Sequence, residues 1–160
     1  MSCTNATSVP CWESHLLWLN QTLAGITTKW KFVAGHHPIT DEHMPSLVPS
    51  LVAYGVQAYL AGHVHNLQHT VGTKTPRPVQ YFISGAGAFG SVKELESAAA
   101  GALGSGRTHV PRSVVLPGEA PPAFEGNGPG FLSITLDGHT ASAAFTVFNG
   151  TVVYKTSFSA

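Results

Sequence analysis

The sequence predicts an α/β fold, and three observations carry that reading. Apolar residues recur first at helical spacing and then in short β-branched and aromatic runs, in the order helix, strand, loop, helix, strand. Glycines and histidines stand directly after the first two strands, where parallel sheets gather their ligands. The stretch from Phe131 to Phe158 alternates polar with apolar residues and carries Asp137-Gly138 and Asn149-Gly150 as turn signals, so it reads as antiparallel strands.

At 160 residues the chain has the length of one domain or of part of a larger one. Its 43% hydrophobic and 10% charged content excludes intrinsic disorder. Lys plus Arg and Asp plus Glu number 8 each, so no net field steers nucleic acid or an anionic membrane to it. Cys3 and Cys11 leave room for one bridge but for no disulfide framework and no thiolate zinc cage. Met1 to Ser14 has neither the basic start nor the apolar centre of a secretory signal.

The elements follow in order. Leu16, Leu17, Leu19, Leu23 and Ile26, with Trp12 and Trp18 beside them, place a helix at about residues 12 to 24, ended by Gly25. Trp30 to Ala34 reads as a strand. The uncharged run from Met44 to Gly62 approaches the ~20 residues of a membrane span. Pro45, Pro49 and Gly55 break it into a short helix, Leu47 to Tyr54, and a buried strand, Val56 to Ala61. Leu67 to Val71 and Val79 to Ser84 read as two further strands, the second closed by Gly85-Ala86-Gly87. From Ser91 to Gly130 the composition turns to Ala, Gly, Ser and Pro, which reads as a long surface excursion. Three strands, Phe131 to Leu136, Thr140 to Phe148 and Thr151 to Phe158, complete the chain. The three tryptophans read as core or near-core anchors.

The chemistry lies in the histidines, of which there are 9. His36 and His37 follow Gly35 at the end of the first strand; His63 and His65 follow Gly62 at the end of the second. Any one of them alone is most simply a loop histidine satisfied by backbone or water. Three imidazoles, His36, His63 and His65, converging on one sheet edge have the donor type to hold Zn²⁺, Fe or Mn²⁺.

These blocks resemble a known family. Val33-Ala34-Gly35-His36-His37-Pro38 is similar to the Val-x-x-His block of metallophosphoesterases, the calcineurin-like phosphoesterases. Gly62-His63-Val64-His65-Asn66-Leu67-Gln68 is similar to their Gly-His-x-His block, in the form found in purple acid phosphatases of the small tartrate-resistant type. Tyr54 to Leu60, Ser84-Gly85-Ala86-Gly87, Gly130-Phe131 and Tyr154-Lys155-Thr156 extend the resemblance over most of the chain outside residues 91–129, which read as a low-complexity loop insertion. The resemblance implies a four-layer αββα sandwich and a dinuclear centre, Fe(III) plus Fe(II), Zn or Mn, hydrolysing phosphomonoesters at acid pH. Carried over by position, His36 and His63 would ligate the divalent ion and His65 the iron. His43 and His37 are the candidates for protonating the leaving alkoxide. A secreted or lysosomal setting is implied as well.

The sequence also departs from the family. Val64 replaces the usual aspartate between the two histidines, and the loop from Ile39 to Pro45 is short. The Asp-x-Gly, Gly-Asp-x-x-Tyr and Gly-Asn-His blocks of the amino-terminal half do not occur, and none of Glu13, Asp41, Glu42, Glu94, Glu96, Glu119, Glu125 and Asp137 has their context. Without a bridging carboxylate, two cations held by neutral imidazoles repel each other. The expectation is therefore the carboxyl-terminal half of a phosphatase domain, inactive alone, whose partners are the missing amino-terminal half and a phosphomonoester. The rival expectations are a catalytically silent module holding one Zn²⁺ or none on His36, His63 and His65, and a mononuclear hydrolase on the same residues. Asn5, Asn20 and Asn149 head glycosylation acceptor patterns. Arg107, His109 and Arg112 form a small basic cluster that a solvated loop explains as well as phosphate binding does.

Overall fold

The computed structural model describes residues 11–40, 44, 46–73, 77–87, 121–126 and 128–160. Helix α1 (Cys11–Gly25) sets Trp12, Leu16, Leu19 and Leu23 four, three and four residues apart, and all four pack with Ile26 into one core. Leu17 and Trp18 point away from it and are 58% and 63% exposed, so Trp18 is not a core anchor. One residue along a helix turns the side chain by about 100°, off the apolar stripe. Trp12 instead donates its indole N–H to Ser46 Oγ at 2.9 Å, tying α1 to the start of the next helix.

Strand β1 (Phe32–Ala34) leads to α2 (Leu47–Ala53), which tolerates Pro49 because that residue lies in its first turn. Gly55, at φ +64°, ends it: Gly55 N–H reaches Val52 O at 3.1 Å and Val56 N–H reaches Leu51 O at 2.9 Å, the paired bonds of a Schellman cap. Then come β2 (Ala58–Ala61), β3 (Leu67–Val71) and β4 (Gln80–Ser84). Next is β5 (Phe124–Gly126), followed by β6 (Gly130–Asp137), β7 (Thr140–Val147) and β8 (Val152–Ser159).

Five strands form a mixed sheet in the order β1-β2-β4-β3-β5. β1, β2 and β4 run parallel, and β3 is antiparallel to both β4 and β5. β5 lies inside the stretch expected to be an irregular excursion. Its pairing of Gln68 with Glu125 and of His69 with Phe124 gives that stretch an anchored end. The other three strands make an antiparallel meander, β6-β7-β8.

Strand alternation sends neighbouring residues to two cores. Tyr59, Ala61, Tyr81 and Ile83 face the helices with Leu23, Leu47 and Leu51. Ala58, Leu67 and Phe82 face the meander with Ala143 and Phe145. The result is a helix–sheet–sheet stack, three layers of an αββα sandwich. Between the sheets His69, 1% exposed, lies flat on Phe82 with ring centroids 4.4 Å apart. Its Nε2 meets Gln80 Oε1 at 2.9 Å and its Nδ1 meets the Tyr154 hydroxyl at 2.8 Å. A carboxamide oxygen only accepts, so Nε2 carries the proton and Tyr154 donates to Nδ1.

Candidate metal centre

The rim of the mixed sheet at the ends of β1 and β2 is built by backbone bonds between two loops. Gly35 N–H donates to Leu60 O at 2.9 Å, and Gly62 N–H donates to His36 O at 3.0 Å, so the parallel pairing continues past both strands. Beyond Gly62 the chain makes two tight turns, Val64 N–H to Gly62 O at 2.6 Å and Asn66 N–H to Val64 O at 2.8 Å. Gly85 closes the base of that loop: its N–H reaches Asn66 O at 3.1 Å, and a β-carbon there would collide with the Val64 carbonyl oxygen. Asn66, fully buried, sends Nδ2 to Glu125 Oε1 at 3.4 Å and so links the loop to β5.

These turns place His36, His37 and His63 together, each exposed and each offering a ring nitrogen within 4.8 Å of the other two. His63 Nδ1 is 3.2 Å from His36 Nε2. The rings are inclined to one another, with centroids 4.1 Å apart for His37 and His63, 4.8 Å for His36 and His37 and 5.1 Å for His36 and His63. His63 holds φ +58°, a left-handed conformation that costs a non-glycine residue on the order of 1 kcal/mol or more. Tyr59, buried in the sheet, donates its hydroxyl to His37 O at 2.7 Å and fixes the first loop from below. Burial pushes that phenol's pKa up, so it stays a donor.

Of the sequence candidates, His36 and His63 therefore meet, and His37 joins them. His65 is exposed and lies outside this group, beyond the turn that His63 begins. His43 lies outside the described residues, as do Cys3, Asn5 and the Arg107–Arg112 cluster. Neutral imidazoles of this kind fit one borderline divalent ion. The group contains no carboxylate among the described residues, so it lacks the bridging anion that a pair of ions requires. Asn149 sits exposed in the β7–β8 turn, where its Oδ1 accepts from Thr151 N–H at 2.9 Å. The half-buried Asn20 keeps its Oδ1 out of solvent.

The fold is similar to that of two solved structures. A purple acid phosphatase from yellow lupin superposes on 96% of this chain and 28% of its own, with a TM-score of 0.56 at 12% identity. The Plasmodium protein GAP50, described as the anchor in the inner membrane complex, superposes on 92% of this chain and 41% of its own, with a TM-score of 0.61 at 18% identity. In sequence the chain is 44% identical over 85 residues to rat tartrate-resistant acid phosphatase type 5, and 42% identical over 85 residues to the human protein. Purple acid phosphatase 17 of Arabidopsis thaliana is 36% identical over 77 residues. The chain thus resembles the carboxyl-terminal part of a purple acid phosphatase of the tartrate-resistant type. The matched stretch takes in 48% of this chain and 25% of the rat protein, so the chain spans about a quarter of such relatives. No family model matches it.

Proposed function

We propose that the chain is the histidine-bearing part of an acid phosphatase, cleaving phosphomonoesters once joined to a part that supplies carboxylates. The observation that carries this reading is the 3.2 Å approach of His36 and His63 from the ends of two adjacent parallel strands. In this reading His36 and His63 hold a divalent ion, Fe(II), Zn²⁺ or Mn²⁺, and His65 reaches toward an Fe(III) neighbour. When bound, such ions supply Lewis acidity and an acidic water.

The chain's own residues orient the ions and manage the proton. Tyr59 and Gly62 lock the loop backbones, and His37 or His43 protonates the departing alkoxide. The setting proposed is secreted or lysosomal. Among the described residues, no helix is long and apolar enough to cross a membrane.

Hydrolysis of a generic aryl phosphate at acid pH tests this. The chain alone is expected to show no turnover. Fused to the amino-terminal part of a tartrate-resistant acid phosphatase, it is expected to gain activity that His63→Ala removes. A fusion that folds and holds two ions yet stays inert would reject the proposal.

A further inference from the structure

We infer that His36, His37 and His63 form a complete site for one divalent transition-metal ion of the Zn²⁺ class, with His37 as the third ligand. The site shares His36 and His63 with the phosphatase reading, but it is filled by this chain's residues alone and differs in its third ligand. That reading gives His37 no ligand role and sends the third histidine, His65, to a different ion.

Four observations converge on it. The three donor nitrogens lie within 4.8 Å of one another. The His36–His63 approach of 3.2 Å is already close to the nitrogen–nitrogen edge of a tetrahedral site, about 3.3 to 3.4 Å for Zn–N bonds of 2.0–2.1 Å. The ring planes of His37 and His63 meet at 50°, those of His36 and His63 at 76° and those of His36 and His37 at 87°. Imidazole lone pairs lie in their ring planes, and rings inclined to one another in this way can turn their edges toward one ion, which stacked rings cannot.

The backbone beneath each ring is also fixed before any ion arrives. Tyr59 holds the His37 carbonyl, Gly62 holds that of His36, and the left-handed His63 is enforced by the two tight turns after Gly62. Ordering of this kind reduces what binding must supply. A strained non-glycine conformation persists only where its surroundings over-determine it, and such positions cluster at ligand sites.

The donor chemistry selects the ion. Three imidazoles without a carboxylate favour Zn²⁺, Co²⁺, Ni²⁺ or Cu²⁺ over Mg²⁺ or Ca²⁺, which require oxygen. All three rings are exposed, so an ion enters directly from solvent and keeps a fourth position for water. Three protein ligands with an open position is the arrangement of catalytic zinc sites.

The experiment is metal binding by the purified full chain after chelation. Co²⁺ is followed by its visible four-coordinate absorption, Zn²⁺ by competition and calorimetry, and the fold by circular dichroism. One ion per chain is expected. His37→Phe is expected to weaken it more than about 100-fold, since even partners one shell out cost 10–100-fold. His65→Gln is expected to leave affinity and spectrum unchanged. In the unsubstituted chain, Zn²⁺ is expected to shift the side-chain ¹⁵N resonances of His36, His37 and His63, which tests ligation without any variant. The inference is overturned if the folded chain binds no ion, if His37→Phe binds as the parent does, or if His65→Gln causes the loss instead.

Discussion

The histidines on the rim and the histidine between the sheets show one side chain put to two uses. His69 is sealed in the sandwich with a partner on each ring nitrogen, Gln80 on one side and Tyr154 on the other. Burial pushes its pKa below the usual value, against a smaller opposing pull from the Gln80 hydrogen bond. It works as a neutral clasp between β3, β4 and β8. His36, His37 and His63 have their backbones pinned and their rings turned toward one another in solvent. What separates the two cases is their setting: His69 is closed off between the sheets, whereas the rim rings meet one another in solvent, His36 and His63 through a 3.2 Å hydrogen bond.

The largest expected effect breaks the buried half of that contrast. His69→Ala opens a cavity and strips Gln80 Oε1 and the Tyr154 hydroxyl of their partner, and should cost about 2–4 kcal/mol in urea unfolding. Next comes Gly85→Ala, whose methyl meets the Val64 carbonyl; it should cost about 1–3 kcal/mol and weaken ion binding at the rim with it.

Acidity sharpens the comparison. With its folded pKa depressed, His69 stays neutral where the unfolded chain takes up a proton, so stability is lost as pH falls below about 6.5. The slope from this one group is at most about 1.4 kcal/mol per pH unit. Unfolding followed at about pH 7.5 and 5.5 should show a smaller loss in His69→Gln than in the parent. Tyr59→Phe removes the hydroxyl that holds His37 O; about 1 kcal/mol should go, together with part of the Co²⁺ affinity. Smallest is Lys29→Met, which ends an exposed 2.9 Å contact with His139 and should shift stability by less than about 0.5 kcal/mol.

The sequence made the rim visible for a physical reason. A glycine between a strand and a histidine flags a tight strand end: at Gly35 a β-carbon would collide with the Tyr59 hydroxyl, while Gly62 leaves room for one and serves through its N–H bond to His36 O. Helix α1 and the closing meander were legible from periodicity, because each has one apolar face and unambiguous turn residues. β5 was not, since Phe124-Glu125-Gly126 sits among prolines and becomes a strand only through its pairing with β3.

The third member of the histidine group was hidden by an assumption of extended backbone. In a strand, residues two apart share a side and adjacent ones oppose, which pairs His63 with His65 and separates His36 from His37. The bend at His36–His37 and the left-handed turn at His63 reverse both relations. Neither departure from strand geometry is encoded by a local residue preference. The doubled histidine was the available clue.

The left-handed backbone at His63 sets shape against chemistry at a single codon. Asparagine or glycine would relax that peptide and forfeit the imidazole, whereas valine or isoleucine would forfeit both. A saturation library at this position should therefore rank differently for cellular abundance and for ion retention, with the original residue leading only the second.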